Sequence, residues 1–316
     1  RLSEVFQKYT SVRYAVPFCS NGAGLLAILM LLKRYRGYEN IFIQSNTMYG
    51  VKTIAITSGL KYLGAADCSM PSLMPSLQQV EEFISSVKEP KRTVFLLSHI
   101  GGIVNPDIAS ISLACEKAGI ALVEDCAHSL GSTLENHHTG GYGIAGVYSL
   151  YATKAISAGE GGIAITNDSD LAKMLSRFNI YDRFDQKQEI GINFRISEVQ
   201  ALFSFCMCEM SEEIISNKNL IAKEYITACN DAHISFVNPH EKGQRGNHYK
   251  FTLLANEDSE SEFAGIKNRT SSVYDYALGH DPMKLSKRHI CLPIWYALEP
   301  EIVEKTIEQI GSIHKK

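Results

Sequence analysis

The feature that most constrains this chain is a repeated alternation between short β-rich runs and longer helical ones. Runs with strand character fall at 15–19, 41–45, 93–99, 120–124, 147–151 and 162–166. Stretches with helical character fall at 2–9, 25–34, 51–60, 77–87, 108–118 and 170–178. Parallel strands cannot be joined by a tight hairpin and need a crossover, usually a helix. The alternation therefore predicts an α/β layered fold with a mostly parallel sheet. After Asn193 the pattern changes to a long helical stretch at 197–229, a strand at 249–254 and a terminal helix at 300–313. A boundary near Asn217 divides a large domain, 1–216, from a small α+β domain, 217–316. No internal repeat is visible.

Composition removes several classes of function. With 31 Lys+Arg against 34 Asp+Glu, the net charge of −3 does not suit a strongly electrostatic nucleic-acid binder. An apolar fraction of 45% is too high for a disordered chain. The longest apolar run, 25–32, is too short to span a bilayer, so no membrane partner is expected. The opening Arg1-Leu2-Ser3-Glu4 reads neither as a signal peptide nor as a native start. The eight cysteines are scattered, with no CxxC pair, whereas a disulfide framework or zinc site needs clustered ligands. The expectation is free thiols, no metal and a cytoplasmic protein.

In open α/β sheets, ligands sit beyond the carboxyl ends of the strands. The residues found there are Ser20-Asn21-Gly22-Ala23, Asn46-Thr47-Met48-Tyr49, His99, Asp125-Cys126-Ala127-His128 and Thr153-Lys154. Residues 22–27 fit the G-x-G-x-x-A dinucleotide pattern, but the run 41–45 ends in Gln44-Ser45 and lacks the acid that anchors a ribose. What remains is a turn whose free N–H groups at a helix start can bind phosphate, or a simple tight turn. Asp125 could ligate Mg²⁺, orient a histidine, pair with a protonated ring nitrogen or cap a helix. Lys154 stands between a strand and the Gly159-Glu160-Gly161-Gly162 segment, where desolvation could make its amine a Schiff-base nucleophile.

Taken together, these segments resemble the DegT/StrS-type sugar aminotransferases, pyridoxal-phosphate enzymes of the aspartate-aminotransferase fold type I. Residues 124–131 are similar to the family's E-D-x-A-x-x-x-G, and 148–154 with 159–162 to its S-x-x-x-T-K…G-E-G-G. Residues 191–201 are similar to its G-x-N-x-R-x-x-x-x-Q-A, and 20–23 stand where it has S-G-T. The late Leu292-Pro293 is a weaker match.

The resemblance implies a large domain with a mostly parallel mixed sheet and a small C-terminal domain. It implies that Lys154 forms the internal aldimine and that Asp125 pairs with the pyridinium nitrogen. Ala127 would pack on one ring face and Met48 or Tyr49 on the other, with His128 near the ring hydroxyl. Ser149 would bind the phosphate with the amides of Gly22 and Ala23, and Asn193 would reach the phosphate of a partner subunit in a homodimer. Ala23 departs from the family's Thr, and His128 from its common Gln. The implied reaction carries an amino group from an amino acid, glutamate, to a keto group on a nucleotide-linked sugar. Arg183, Lys187 and Arg195 are candidate contacts for substrate anions. The alternatives are a lyase or dehydratase-type reaction on the same fold, a non-sugar carbonyl substrate, and a non-enzymatic binding protein.

Overall fold

The computed structural model describes residues 1–181 and 189–313. The elements, in chain order, are α1 (Leu2–Thr10), β1 (Tyr14–Phe18), α2 (Asn21–Arg36), β2 (Asn40–Gln44), α3 (Tyr49–Thr57), β3 (Lys61–Ala66), α4 (Leu77–Ser86), β4 (Thr93–Ser98), α5 (Ile108–Ala118) and β5 (Ala121–Cys126). There follow β6 (Thr133–Leu134), β7 (His137–His138), β8 (Ala145–Ser149), β9 (Gly162–Thr166), α6 (Ser169–Ile180), α7 (Glu198–Glu209) and α8 (Ser211–Asp231). The last are β10 (Gln244–Arg245), β11 (Phe251–Leu254), α9 (Ser259–Glu262), β12 (His289–Leu292) and α10 (Pro300–Gly311).

Seven strands form the main sheet in the order β1-β9-β8-β5-β4-β2-β3. The run from β3 to β8 is parallel, while β9 lies antiparallel to both β8 and β1. This is the α/β fold with a mostly parallel mixed sheet that the alternation predicts. Both faces are covered, as a parallel sheet requires. On one face Ile41, Ile43, Leu96, Val123 and Val147 pack against α2 and α3. On the other, Phe42, Phe95, Leu97 and Leu122 pack against α4 and α5, and Phe42 stacks on Phe95 with ring centroids 4.3 Å apart. A separate apolar cluster joins Tyr225 of α8 to Phe251, Leu292 and Ile310.

Two differences from the sequence reading have physical causes. β3, absent from that reading, is an edge strand of sequence KYLGAA, which has no β-branched residue. The stretch 197–229 is two helices meeting at Met210, because Ser197 caps the first and the backbone at Met210 leaves helical geometry.

Register places the chemistry at one sheet edge. Ser98 lies opposite Asp125, Cys126 opposite Tyr148, and Ser149 opposite Gly162, which also faces Phe18. Gly162 allows the turn into α2 to close over β9. A Cβ there would fall 2.3 Å from the Ser20 carbonyl carbon and oxygen and 2.5 Å from the Asn21 nitrogen, all backbone atoms. Gly162→Ala should therefore lower stability by about 1–3 kcal/mol, the usual cost of overpacking, as measured by urea denaturation.

Candidate active site

The site is built on the ends of β4, β5 and β8 and on the first turn of α2. Ser20 caps that helix, its Oγ accepting from the Ala23 amide at 3.1 Å. The Ala23 amide is thus already engaged, while amides of the first turn have no acceptor within the helix. Asn21 turns inward. Its Nδ2 donates to Asp125 Oδ1 at 3.0 Å and to the Val147 carbonyl at 2.8 Å.

Asp125 lies within β5 rather than at a helix N-cap. Its carboxylate accepts from Asn21, from the Ala127 amide at 3.1 Å and from Ser98 Oγ at 3.2 Å. Ser98 Oγ is also 2.7 Å from Thr47 Oγ1. All of these donors are neutral. Burial raises the Asp125 pKa, against the lowering effects of the Ala127 amide, Asn21, the Lys154 charge and Ser98.

The neighbouring Glu124 faces the other way, as strand geometry demands. Its carboxylate accepts from the amides of Gly140 (2.7 Å), Tyr142 (2.8 Å) and Gly143 (2.7 Å), and lies 2.9 Å from His99 Nε2. His99 Nδ1 accepts from the Asn105 amide at 3.0 Å, so Nε2 carries the proton toward Glu124. His99, Glu124 and Cys126 bring ligand-type atoms within 4.8 Å of one another. That cluster is a closed hydrogen-bond network: the carboxylate's lone pairs are spent on backbone amides.

Lys154 is half-buried on the segment after β8. Backbone bonds from Leu150 to Gly161 and from Ala152 to Gly159, both 2.9 Å, fold this segment back on itself. Gln200 of α7 clamps it, donating to the carbonyls of Ala158 and Glu160. The Lys154 ammonium stands 5.0 Å from the centre of the Tyr249 ring. Burial pushes its pKa down to about 8; the Asp125 charge opposes this and the Lys250 charge adds to it. A cavity of about 430 Å³ opens beside it, lined among others by Ser157, Lys218, Tyr249, Trp295 and Tyr296.

The remaining sequence candidates lie around this pair at different depths. Ser149 is buried at the end of β8, its Oγ accepting from the Tyr151 amide at 3.3 Å. His128 is buried, its ring tilted 31° to the Tyr249 ring with centroids 4.2 Å apart, and its Nδ1 has no partner among the described residues. Burial first, then the charges of Lys154 and Lys250, hold its pKa well below the usual value, so the imidazole is neutral. Ala127 is half-buried, and Gly22 lies in the first turn of α2. Met48 and Tyr49 are exposed at the start of α3, and the Tyr49 amide donates to the Tyr276 hydroxyl at 2.9 Å. Asn193 is exposed on the segment before α7, its Oδ1 accepting from the Arg195 amide. Arg195 is held to the end of α6 through the Asn179 carbonyl at 2.7 Å. Arg183 and Lys187 lie outside the described residues.

Sequence reasoning missed Asn21 as a side-chain partner of Asp125, and missed Ser98, Thr47, Tyr249, Tyr274 and Lys218. Asn21 and Thr47 sat inside segments already singled out, and Ser98 ends a recognised strand. Tyr249 and Tyr274 come from distant parts of the chain with no motif to mark them. The Tyr274 hydroxyl lies 3.5 Å from His128 Nε2.

Fold and site together define a class: an α/β protein with a desolvated lysine and a buried aspartate at the carboxyl edge of a mixed sheet. Residues 1–311 match the model of the DegT/DnrJ/EryC1/StrS aminotransferase family, and the chain belongs to that family. It is 23% identical over 261 residues to a UDP-4-amino-4,6-dideoxy-N-acetyl-beta-L-altrosamine transaminase of Helicobacter pylori; the match takes in 78% of this chain and 66% of that protein. A DegT/DnrJ/EryC1/StrS aminotransferase from Brucella abortus superposes with a TM-score of 0.85 at 22% identity, covering 100% of this chain and 90% of that one. Helicobacter pylori PseC, an aminotransferase involved in pseudoaminic acid biosynthesis, superposes with a TM-score of 0.84 at 19% identity, covering 99% and 90%.

The depressed Lys154 pKa gives a direct test. Amine-labelling of Lys154, followed by mass spectrometry across pH, should rise with a midpoint near about 8, because only the neutral amine reacts. In Asp125→Asn the midpoint should move lower, since the carboxylate charge that favours the ammonium is gone.

Proposed function

We propose that this chain is a pyridoxal-phosphate-dependent aminotransferase that moves an amino group from glutamate to the keto group of a nucleotide-linked sugar. The observation that carries this reading is a buried aspartate contacted only by neutral donors, in the same site as a half-buried lysine whose pKa lies near 8. A buried carboxylate with no cation in hydrogen-bond contact among the described residues, and only the charge of Lys154 acting from farther off, fits a group that brings a protonated ring nitrogen. Bound there, pyridoxal phosphate supplies an electron sink for charge developing at the carbon that carries the amino group.

The protein's own residues divide the remaining work. Asp125 keeps the ring nitrogen protonated, and Asn21 and Ser98 keep Asp125 in place. Lys154 anchors the cofactor, and its Nζ takes and returns the substrate proton, a task suited to an amine near neutrality. Ser149 and the first-turn amide of Gly22 bind the phosphate, and the Ala23 amide joins them by exchanging its bond to Ser20 Oγ for one to the phosphate. Ala23 has no hydroxyl to add, which forgoes about 1 kcal/mol of hydrogen bonding. Ala127 and either Met48 or Tyr49 cover the ring faces, and neutral His128 meets the ring hydroxyl.

Asn193 completes the phosphate site of a partner subunit in a homodimer. Support for that pairing comes from exposed apolar side chains near it, Ile192, Val199, Leu202 and Phe203. A nucleotide-sugar substrate is favoured by the UDP-sugar transaminase named among the relatives. We also place the protein in the cytoplasm, in keeping with eight free cysteines. No helix among the described residues is long and apolar enough to cross a membrane.

Purified protein mixed with pyridoxal phosphate should acquire a visible absorbance band that glutamate bleaches. Lys154→Ala should abolish the band and lower turnover by at least on the order of 10²–10⁴-fold. A band that persists unchanged in Lys154→Ala would sink the assignment. A band that no amino donor alters would favour a lyase-type reaction instead.

A further inference from the structure

The cavity beside Lys154 contains a second lysine. Lys218 lies on α8 one turn after Ile214, and both side chains line that cavity. Lys218 is 2% exposed. Among the described residues, no acceptor and no carboxylate pairs with its ammonium. The charges that couple to it are cationic: Lys250 disfavours its protonated form, and it in turn disfavours that of His248. Neighbouring groups are committed elsewhere. Asn219 Oδ1 meets His248 Nε2, the Tyr296 hydroxyl donates to Glu213, and Lys250 donates to the Ser271 carbonyl at 2.8 Å and to its hydroxyl at 3.0 Å.

A buried ammonium without an anion keeps only the hydration that the cavity admits, with no opposite charge in return. Core lysines normally avoid this by reaching solvent or by pairing. Lys218 instead ends at a cavity shared with the lysine proposed to carry the chemistry. Burial, followed by the Lys250 charge, pushes its pKa down to about 7, so a small attraction suffices to keep it protonated near neutral pH. A compact ammonium with free donors suits the oxygens of a carboxylate or phosphate.

We propose that Lys218 is the receptor for an anionic oxygen group, carboxylate or phosphate, of a substrate entering the cavity beside Lys154. The proposal rests on the aminotransferase reading, and within it two substrates carry such a group. The amino donor brings carboxylates, and the sugar nucleotide brings phosphates. Lys218 is here a binding residue that fixes which anion is admitted; the proton transfer stays with Lys154.

The test uses holoprotein and two non-reacting probes, glutarate for the dicarboxylate donor and UDP for the nucleotide. Their dissociation constants are measured by calorimetry for wild type, Lys218→Met and Lys218→Arg. Lys218→Met should fold with an unchanged or higher melting temperature, since it removes an unpaired buried charge, and should keep the cofactor absorbance band. It should bind one probe at least about tenfold more weakly, the scale of one hydrogen bond to a charged group. Lys218→Arg, which keeps the charge, should recover part of that loss. Loss for glutarate assigns the site to the donor, and loss for UDP assigns it to the nucleotide. If Lys218→Met fails to fold, Lys218→Gln serves in its place.

Unchanged affinity for both probes in a folded variant overturns the proposal. So does disappearance of the cofactor band on substitution, which would give Lys218 to the cofactor phosphate. Absence of any band in wild type would instead sink the aminotransferase reading. The two titrations need no turnover, so they still decide whether Lys218 binds an anion.

Discussion

The structure depends most on how one carboxylate is kept underground. Asp125 sits at the end of a central strand, and three neutral donors from three segments converge on it: Asn21 from the first turn of α2, Ser98 from β4 and the Ala127 amide just beyond β5. A buried charge is tolerated only when its lone pairs are met. Meeting them fixes the α2 turn against β5 and β8, because Asn21 also bonds the Val147 carbonyl. The same convergence leaves the carboxylate with no cation in direct contact among the described residues, and so ready for one.

The second requirement is a lysine that is desolvated but not neutralised. The segment after β8 meets it by folding back on itself and being clamped by Gln200. Tyr249 supplies an aromatic face in place of a carboxylate. Asp125 acts on Lys154 through space, while Lys250 opposes it. The small C-terminal segment thus contributes to the electrostatics of a site whose four stronger motifs all lie before residue 202.

Much of this was legible in the sequence, for physical reasons. The alternation of strand and helix periods identified the parallel sheet, since crossovers leave few other solutions. Strand ends pointed to Asp125 and Lys154, because open sheets collect ligands there, whereas Ser149 came only through the family resemblance. β3 escaped notice because an edge strand with no β-branched residue, ending in Gly-Ala-Ala, has little strand signal to show. Tyr249, Tyr274 and Lys218 escaped because long-range packing, and no local pattern, brings them to the site. Lys218 in particular looked like any helix-surface lysine until the fold buried it.

Glu124 and Asp125 are adjacent acids with opposite fates. Three backbone amides from the turn at 140–143 seal one into the wall, while the other faces the site. The strand's pleat therefore works as a partition: it sets two negative charges on opposite sides of a sheet one residue thick. Each accepts hydrogen bonds from its own set of neutral donors, and no donor is shared between the two. A one-residue slip of β5 would exchange their faces, turning the wall acid toward the site and the working acid toward the amides that now hold Glu124. The fidelity of strand register is, in this protein, a matter of charge segregation as much as of hydrophobic burial.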